Sequence, residues 1–115
     1  MKSLHAANDV DKPVVVRCDG ITRQMLEAAC RVNARSMTSE AKLRIKHHLM
    51  LYPDFHNTRT TNDFNHRLYI RVDAETYILL LKSKNRSGRT RGNEISVRLI
   101  DHLFRYPSAF NFTND

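Results

Sequence analysis

An internal repeat constrains the fold of this chain more than any other feature of its sequence. Shifting the sequence by 54 residues aligns 13–54 with 67–108 without a gap. The identical pairs in this alignment are Arg17 and Arg71, Asp19 and Asp73, Thr22 and Thr76, Leu26 and Leu80, Arg35 and Arg89, Glu40 and Glu94, Arg44 and Arg98, His48 and His102, Leu49 and Leu103, Tyr52 and Tyr106, and Pro53 and Pro107. Because a unit of about 43 residues buries too little apolar surface to be stable alone, we expect the two copies to share one core.

Each repeat is predicted to contain a strand followed by two helices. A short run rich in β-branched or aromatic residues opens each copy, at 14–18 and at 68–72. The side chains placed to cap the helix N-termini are Asp19, Ser36, Asp73 and Thr90. The apolar pattern of the first helices consists of Ile21, Met25, Ala28, Ala29 and Val32 in repeat one, and Tyr77, Ile78, Leu80 and Leu81 in repeat two.

The turn between the two helices differs between the repeats. In repeat two, Gly88 can adopt the left-handed conformation that ends a helix. Repeat one has Asn33 followed by Ala34 at this point, and asparagine tolerates that conformation better than alanine does. The sequence therefore favours Asn33 for the left-handed position of repeat one.

The lone strand of each repeat indicates how the two copies assemble. A single strand has unpaired edges, and two equivalent strands can pair antiparallel about a pseudo-twofold axis. The predicted fold is mostly α-helical, a fused tandem in which four helices pack beneath a short two-stranded antiparallel β-ribbon. The predicted boundaries are a flexible N-terminal tail at 1–12, repeat one at 13–55, a linker at 56–66, repeat two at 67–110 and a C-terminal stub at 111–115, with both repeats in one folded domain.

The charge of the chain indicates a polyanionic partner. Its 19 Lys and Arg residues outnumber its 12 Asp and Glu residues, and the net charge is +7. No apolar run is long enough to span a membrane, so we expect a cytoplasmic protein that binds nucleic acid rather than a membrane. We expect no enzyme, cofactor or metal site, because no catalytic motif occurs and the adjacent His47 and His48 would point to different faces of a helix.

The duplicated strand-helix-turn-helix pattern resembles the ribbon-helix-helix DNA-binding family, which includes the Arc and MetJ repressors. The resemblance rests on an arginine in each strand and on Gly-Arg-Thr at 88–90, before a second helix. The duplication and the segments 84–89 and 98–107, which contain Asn-Arg-Ser-Gly and Asp-His-Leu, are more closely similar to the TraY family of conjugative-plasmid relaxosome accessory proteins. That resemblance implies two units on one polypeptide that bind the origin of transfer, help the relaxase to nick it and also act at transfer-gene promoters.

Alternation along the two strands divides their residues between an inward and an outward face. The inward positions are Val14, Val16, Cys18, Leu68, Ile70 and Val72. The outward positions, from which this family reads bases in the major groove, are Pro13, Val15, Arg17, Arg67, Tyr69 and Arg71. Arginine suits guanine because its planar fork matches O6 and N7, although strand arginines can also be plain solvated charges. Since repeat one offers a single outward arginine, we expect an asymmetric DNA site to which repeat one contributes less base discrimination.

Two further sets of residues have expected roles. The start of each second helix leaves backbone N–H groups free for a DNA phosphate, and the predicted phosphate-binding residues are Ser36, Met37, Thr38, Arg89, Thr90, Arg91 and Gly92. The positions that match an Arg-Glu-Arg ion triad of Arc are Arg35, Glu40 and Arg44, and again Arg89, Glu94 and Arg98. We interpret the triads as structural, with phosphate binding as the alternative.

The expected partners are double-stranded DNA, at the origin of transfer or at a promoter, and the relaxase with other relaxosome proteins. We expect a monomer with internal pseudo-twofold symmetry, bound in one or several copies per DNA site. Two alternatives stay open: a ribbon-helix-helix repressor or antitoxin without a relaxosome role, and a protein-interaction module that recruits a relaxase or coupling protein.

Overall fold

Each repeat folds as one strand followed by two helices in the computed structural model, which describes residues 11–55, 65–108 and 110. The elements are β1 (Lys12–Cys18), α1 (Gly20–Asn33), α2 (Met37–Leu51), β2 (His66–Val72), α3 (Ala74–Ser87) and α4 (Arg91–Arg105). The predicted fold class, mostly helical with one two-stranded antiparallel ribbon, is confirmed. Of the helices in these ranges, none is long and apolar enough to cross a membrane.

The two strands pair with each other across the repeats. Val15 lies opposite Tyr69, and these two residues are equivalent in the repeat alignment, so the pseudo-twofold axis passes between them. Both strands begin one residue earlier than the predicted repeats. The reason is the ladder itself, because Lys12 lies opposite Val72 and His66 lies opposite Cys18.

The four predicted N-caps all stand at helix starts. The carboxylates of Asp19 and Asp73 each accept a hydrogen bond of 2.7 Å, from the backbone N–H groups of residues 22 and 76. The hydroxyls of Ser36 and Thr90 each accept one of 3.1 Å, from residues 39 and 93. Each cap satisfies one backbone donor that the first turn leaves unpaired, and thereby fixes where the helix begins.

The turn of repeat one differs from its prediction. Gly88 takes the left-handed conformation in repeat two, with φ of 80°, but in repeat one Ala34 takes it, with φ of 56°, rather than Asn33. Asn33 stays in α1, where its side chain has partners in other segments. Its Nδ2 donates to Glu40 Oε2 at 2.9 Å, and its Oδ1 accepts from the backbone N–H of Phe110 at 3.1 Å. Ala34 is the equivalent of Gly88 in the repeat alignment, and Asn33 makes these two hydrogen bonds from the last position of α1.

The core consists of the inward strand face and residues from all four helices. Its members are Val14, Val16, Leu26, Ala29, Cys30, Ala41, Ile45, Leu49, Ile70, Val72, Leu80, Ile95, Leu99 and Leu103. Cys18 and Cys30 are buried free thiols, and burial raises the pKa of both.

The buried face of the first helices differs from its prediction. Ile21 and Val32 are 66% and 59% exposed, and Ile78 is also exposed. The residues that face the core are Thr22, Leu26, Ala29 and Cys30 in α1, and Thr76, Leu80 and Ser83 in α3. In both helices the first buried residue is the threonine three positions after the capping aspartate, so that Ile21, one position before Thr22, faces solvent.

Candidate nucleic-acid interface

The outer face of the β-ribbon brings together all six residues predicted to read bases. Pro13, Arg17, Arg67, Tyr69 and Arg71 are exposed, while Val15 is half-buried between them. Of the six residues predicted to lie inward, Leu68 is half-buried and the other five are buried: Val14, Val16, Cys18, Ile70 and Val72. The ribbon therefore presents three arginines and one tyrosine on a single face.

The strand register groups these outward residues into three cross-strand pairs. Arg17 lies opposite Arg67 at one end of the ribbon, Val15 opposite Tyr69 at the centre, and Pro13 opposite Arg71 at the other end. Among the residues that the structure describes, the guanidinium groups of Arg17 and Arg67 have no hydrogen-bond or ion-pair partner. Arg71 Nη2 donates a long hydrogen bond of 3.4 Å to the carbonyl of Asp11.

The ribbon is held on the helices beside this face. The backbone N–H of Arg17, on the outer edge of β1, donates to Ser96 Oγ of α4 at 3.1 Å. This bond satisfies an edge donor and ties β1 to the opposite repeat. The equivalent of Ser96 in repeat one is Lys42, so the hydroxyl contact exists on one side of the pseudo-twofold axis only.

The N-termini of the second helices lie next to the strands of the opposite repeat. At the start of α4, the N-cap Thr90 with Arg91 and Gly92 lines a groove whose β1 side consists of Val14, Val15 and Arg17. In α2, Met37 borders a smaller groove with residues 66–68 of β2. The start of α4 and the first residue of α2 therefore each lie beside the strand of the opposite repeat.

The two arginines predicted for phosphate binding in repeat two lie in different surroundings. Arg91 is exposed, and its Nη1 donates to the hydroxyl of Tyr77 at 2.5 Å. Arg89 has a side chain only 19% exposed, and its Nη1 donates to Glu94 Oε1 at 3.0 Å and to the carbonyl of Phe55 at 3.3 Å. Of its two expected roles, the geometry of Arg89 supports the ion pair.

The ion triad of repeat one is assembled beneath the ribbon. Glu40 is fully buried and pairs with Arg35 at 3.0 Å and with the equally buried Arg44 at 2.8 Å. The remaining Arg44 donors cross to repeat two, where Nη1 donates to Tyr106 O at 2.6 Å and Nη2 donates to Ser108 O at 2.9 Å. The buried guanidinium is therefore compensated both by a carboxylate and by backbone carbonyls, as a buried charge requires.

The triad of repeat two is built in the same way. Glu94 is fully buried, pairs with Arg89 at 3.0 Å and Arg98 at 2.8 Å, and accepts hydrogen bonds from Ser83 and Ser87. Burial alone would raise the pKa of the Glu94 carboxyl, but the hydrogen bonds from the two serines and the two arginines lower it to about 2. Glu94 is therefore ionised at neutral pH.

Two buried histidines extend the ion network across the pseudo-twofold axis. His48 Nδ1 lies 3.0 Å from Arg98 Nη1, and His102 Nδ1 lies 3.2 Å from Arg44 Nη1. Because a guanidinium can only donate, both Nδ1 atoms must accept, so both rings are neutral and carry their proton on Nε2. Burial lowers the pKa of His48 to about 4 and that of His102 to about 2.

Sequence reasoning missed the partners of these two histidines. His48 Nε2 donates to Asp101 Oδ2 at 2.9 Å, whereas His102 Nε2 donates to His47 Nδ1 at 3.0 Å. Residues 47 and 101 are equivalent in the repeat alignment but not identical. The only signal was that each precedes an identical histidine. In the described part of the chain, no three His, Cys, Asp or Glu side chains converge as metal ligands.

Comparison with known proteins gives consistent matches along the chain. The family model described as TraY domain matches twice, at residues 14–62 and 68–113. A relaxosome protein TraY of Escherichia coli strain K12 is 34% identical over 115 residues, which cover 96% of this chain and 86% of that relative. A second relaxosome protein TraY from Escherichia coli is 40% identical over 53 residues, covering 46% of this chain and 75% of the relative. No solved structure matches.

Proposed function

The chain belongs to the TraY family, and from this premise we propose that it is a sequence-specific, double-stranded DNA-binding protein of the conjugation relaxosome. It binds the origin of transfer with the outer face of its β-ribbon in the major groove and assists the relaxase in nicking. The names of the relatives support the relaxosome role, and the geometry of the ribbon supports the mode of DNA binding.

One observation carries the DNA-binding part of this proposal. Most of the aligned pairs that are identical between the two repeats have a structural role, because their residues are buried, cap a helix or belong to an ion triad. Arg17 and Arg71 are also identical, yet both are exposed on the outer ribbon face, and neither guanidinium forms an ion pair within the described residues. A ligand with paired acceptors, such as the O6 and N7 atoms of guanine, gives this repeated arginine a role.

The surroundings of the ribbon fit a duplex. The major groove of B-DNA is about 12 Å wide and admits a two-stranded ribbon. The starts of α2 and α4 then face the DNA backbone, where Ser36, Met37 and Thr38 on one side and Thr90, Arg91 and Gly92 on the other can bind phosphates through backbone N–H groups. These contacts orient the protein without reading sequence. The net charge of +7 adds attraction to any duplex.

The ion triads serve this function indirectly. Arg44 and Arg98 each connect a buried glutamate of their own repeat to backbone carbonyls of the other repeat. They thereby fix the relative position of α2 and α4, whose N-termini flank the ribbon. We interpret both triads as scaffold, and on this interpretation one chain supplies the two halves that a ribbon requires. The working unit is then a monomer in the cytoplasm, bound in one or several copies per DNA site, without cofactor.

A binding titration with a matched variant tests the proposal. The unaltered protein is titrated against an origin-of-transfer duplex of its plasmid and against a shuffled duplex of equal length, at one stated salt concentration. We expect a specificity ratio of about 10³ or more, which falls towards one in the double variant Arg17→Ala, Arg71→Ala. Arg31→Ala is the control, because Arg31 is an exposed cation in the last turn of α1.

The relaxosome part needs a separate readout. Nicking of the same duplex by the cognate relaxase is measured with and without the protein, and we expect faster nicking with the unaltered protein than with the double variant. A high specificity ratio without any effect on nicking would favour a transcriptional repressor. A ratio near one together with stimulated nicking would favour a protein-interaction module that uses DNA only as a platform.

A further inference from the structure

The register of the ribbon separates its outer face into two unlike ends. At one end, Arg17 and Arg67 lie directly opposite each other, so that one arginine from each repeat stands at the same place. At the other end, Arg71 lies opposite Pro13, which offers neither a charge nor a backbone donor. The pseudo-twofold axis relates Arg17 to Arg71 and Arg67 to Pro13, so the proline replaces what would be the fourth arginine of a symmetric face.

The pairing of Arg17 with Arg67 destabilises the protein when no DNA is bound. Like charges directly opposite each other in an antiparallel ribbon are destabilising, since their Cβ atoms lie only about 5 Å apart. Neither Arg17 nor Arg67 has an acidic neighbour that would compensate, within the residues that the structure describes. An electron-rich acceptor between or above the two guanidinium groups would remove the repulsion. Guanine provides such acceptors on its major-groove edge.

The end of the ribbon that contains Arg71 has different neighbouring residues. The exposed Arg91, in the first turn of α4, lies beside β1, where it lines a surface depression with Pro13, Tyr69 and Arg71 and also borders the groove that contains Arg17. At the Arg17 end, the equivalent helix position is the uncharged Met37. The Arg71 end therefore has one arginine on the base-reading face, and Arg91 stands at the helix start beside β1, where a phosphate can bind. The Arg17 end has both of its arginines on the base-reading face.

We propose, on the basis of the DNA-binding function proposed above, that the asymmetry of the DNA site follows the ends of the ribbon rather than the repeats. The DNA site has two halves, called arms here, one under each end of the ribbon. Arg17 and Arg67, one from each repeat, together read guanines in neighbouring base pairs of one arm, while Arg71 reads a single guanine in the other arm. Arg91 adds a phosphate contact beside β1. The site is consequently directional, and the protein binds it in one orientation.

The spacing of the two arms follows from strand geometry. The two end pairs lie four residues apart along each strand, which corresponds to about 13 Å. At about 3.4 Å per base pair this distance spans about four base pairs. The guanines contacted by Arg17 and Arg67 should therefore lie within about two base pairs of each other, and the guanine contacted by Arg71 about four base pairs away.

Missing-contact methylation interference tests this assignment. A bound sequence is first selected with the unaltered protein from a randomised duplex library, and interference by N7-methylguanine is then mapped for Arg17→Ala, Arg67→Ala and Arg71→Ala. We expect the first two variants to lose interference in the same arm and the third to lose it in the opposite arm. Each should weaken binding to the selected duplex by about 5- to 150-fold. Thermal denaturation of each free variant checks that it is folded, and loss of the Arg17–Arg67 repulsion should not lower its melting temperature.

The possible outcomes separate this inference from the function on which it rests. If the library yields an enriched sequence but Arg17→Ala and Arg67→Ala lose interference in opposite arms, or none of the variants changes the pattern, the assignment is wrong while specific binding stands. If no sequence is enriched, sequence-specific binding itself is wrong and the assignment fails with it. The variant Arg91→Ala is measured in addition. It should reduce affinity equally for selected and random duplexes, and it should lower by about one the slope of log affinity against log salt concentration.

Discussion

Acidification should destabilise this protein through its two buried histidines. His48 and His102 are fully buried, and each must keep Nδ1 unprotonated because an arginine donor points at it. A proton at Nδ1 would place two positive groups against each other in the core. The folded protein therefore excludes a proton that the unfolded chain binds below its ordinary histidine pKa of 6.5, so stability is highest above pH 6.5 and falls as the pH decreases.

The size of the effect follows from the pKa values. The pKa of His48 falls from 6.5 to about 4, and that of His102 from 6.5 to about 2. At about 1.4 kcal/mol per pH unit, each histidine lowers the free energy of unfolding by about 2 kcal/mol between pH 7.5 and pH 5.0. Together they remove about 4 kcal/mol, a large fraction of the roughly 5 to 15 kcal/mol of an ordinary domain. The groups that face these rings are Arg44, His47, Arg98, Asp101, Arg105 and, as aromatic neighbours, Tyr52, Phe55, Tyr106 and Phe110.

Urea denaturation followed by circular dichroism at pH 7.5 and at pH 5.0 measures this loss. The informative variant is His102→Gln, since a glutamine can accept from Arg44 and donate to His47 but does not titrate. Its loss between the two pH values should be about 2 kcal/mol smaller than that of the unaltered protein, whatever its stability at pH 7.5. His48→Gln should show the same reduction, since His48 loses a similar amount over this pH range. Equal losses in the unaltered protein and in both variants would refute the reasoning.

Three further predictions concern the scaffold and the charge. Arg98→Ala should lower the free energy of unfolding by about 3 to 5 kcal/mol, because Glu94 would remain buried without its main partner, whereas the exposed Arg86→Ala should change it little in the same denaturation assay. Ala34→Gly should raise the melting temperature, by relieving about 1 kcal/mol of left-handed strain, and Gly88→Ala should lower it; the opposite signs would contradict the assigned turns. The logarithm of DNA affinity should fall linearly and steeply with the logarithm of salt concentration, and a flat response would exclude phosphate contacts.

The fold was predictable because the internal repeat of the sequence indicates a pseudo-twofold symmetric structure. Each unit has a single strand, and the simplest way to pair the free backbone N–H and C=O groups of its edge is with the strand of the other copy. Local chemistry supplied the rest, since Asp19, Ser36, Asp73 and Thr90 are cap residues at the positions where helices begin. These signals act over a few residues and do not depend on tertiary contacts.

The rotation of the first helices was not predictable from hydrophobicity. Ile21 and Val32 belong to the apolar pattern of α1 but are exposed, whereas Thr22 is buried. A better signal was present in the repeat alignment, because Thr22 and Leu26 are identical to their equivalents and both pairs are buried. Within α1 and α3, identity between the two copies thus marked the buried face more reliably than side-chain polarity did.

The sequence predicted which residues lie on the outer face of the ribbon, but it did not predict which of them lie opposite each other across the two strands. Period-two alternation suffices to place Arg17, Arg67 and Arg71 outward. Which residues lie opposite each other depends on how the helices of both repeats pack beneath the ribbon, and no local pattern encodes that. The same reason explains why the contact of His48 with Asp101 was missed, because it joins residues 53 positions apart across the pseudo-twofold axis.

Photo-crosslinking from the centre of the ribbon shows whether its outer face contacts DNA. Tyr69 is 67% exposed at the pseudo-twofold axis, and replacing it with benzoylphenylalanine puts a reactive group on the outer ribbon face. We expect crosslinks to bases of an origin-of-transfer duplex from position 69, and none from the same group at the exposed Ile78 of α3. Crosslinks from position 78 with none from position 69 would show that a different face of the protein contacts DNA.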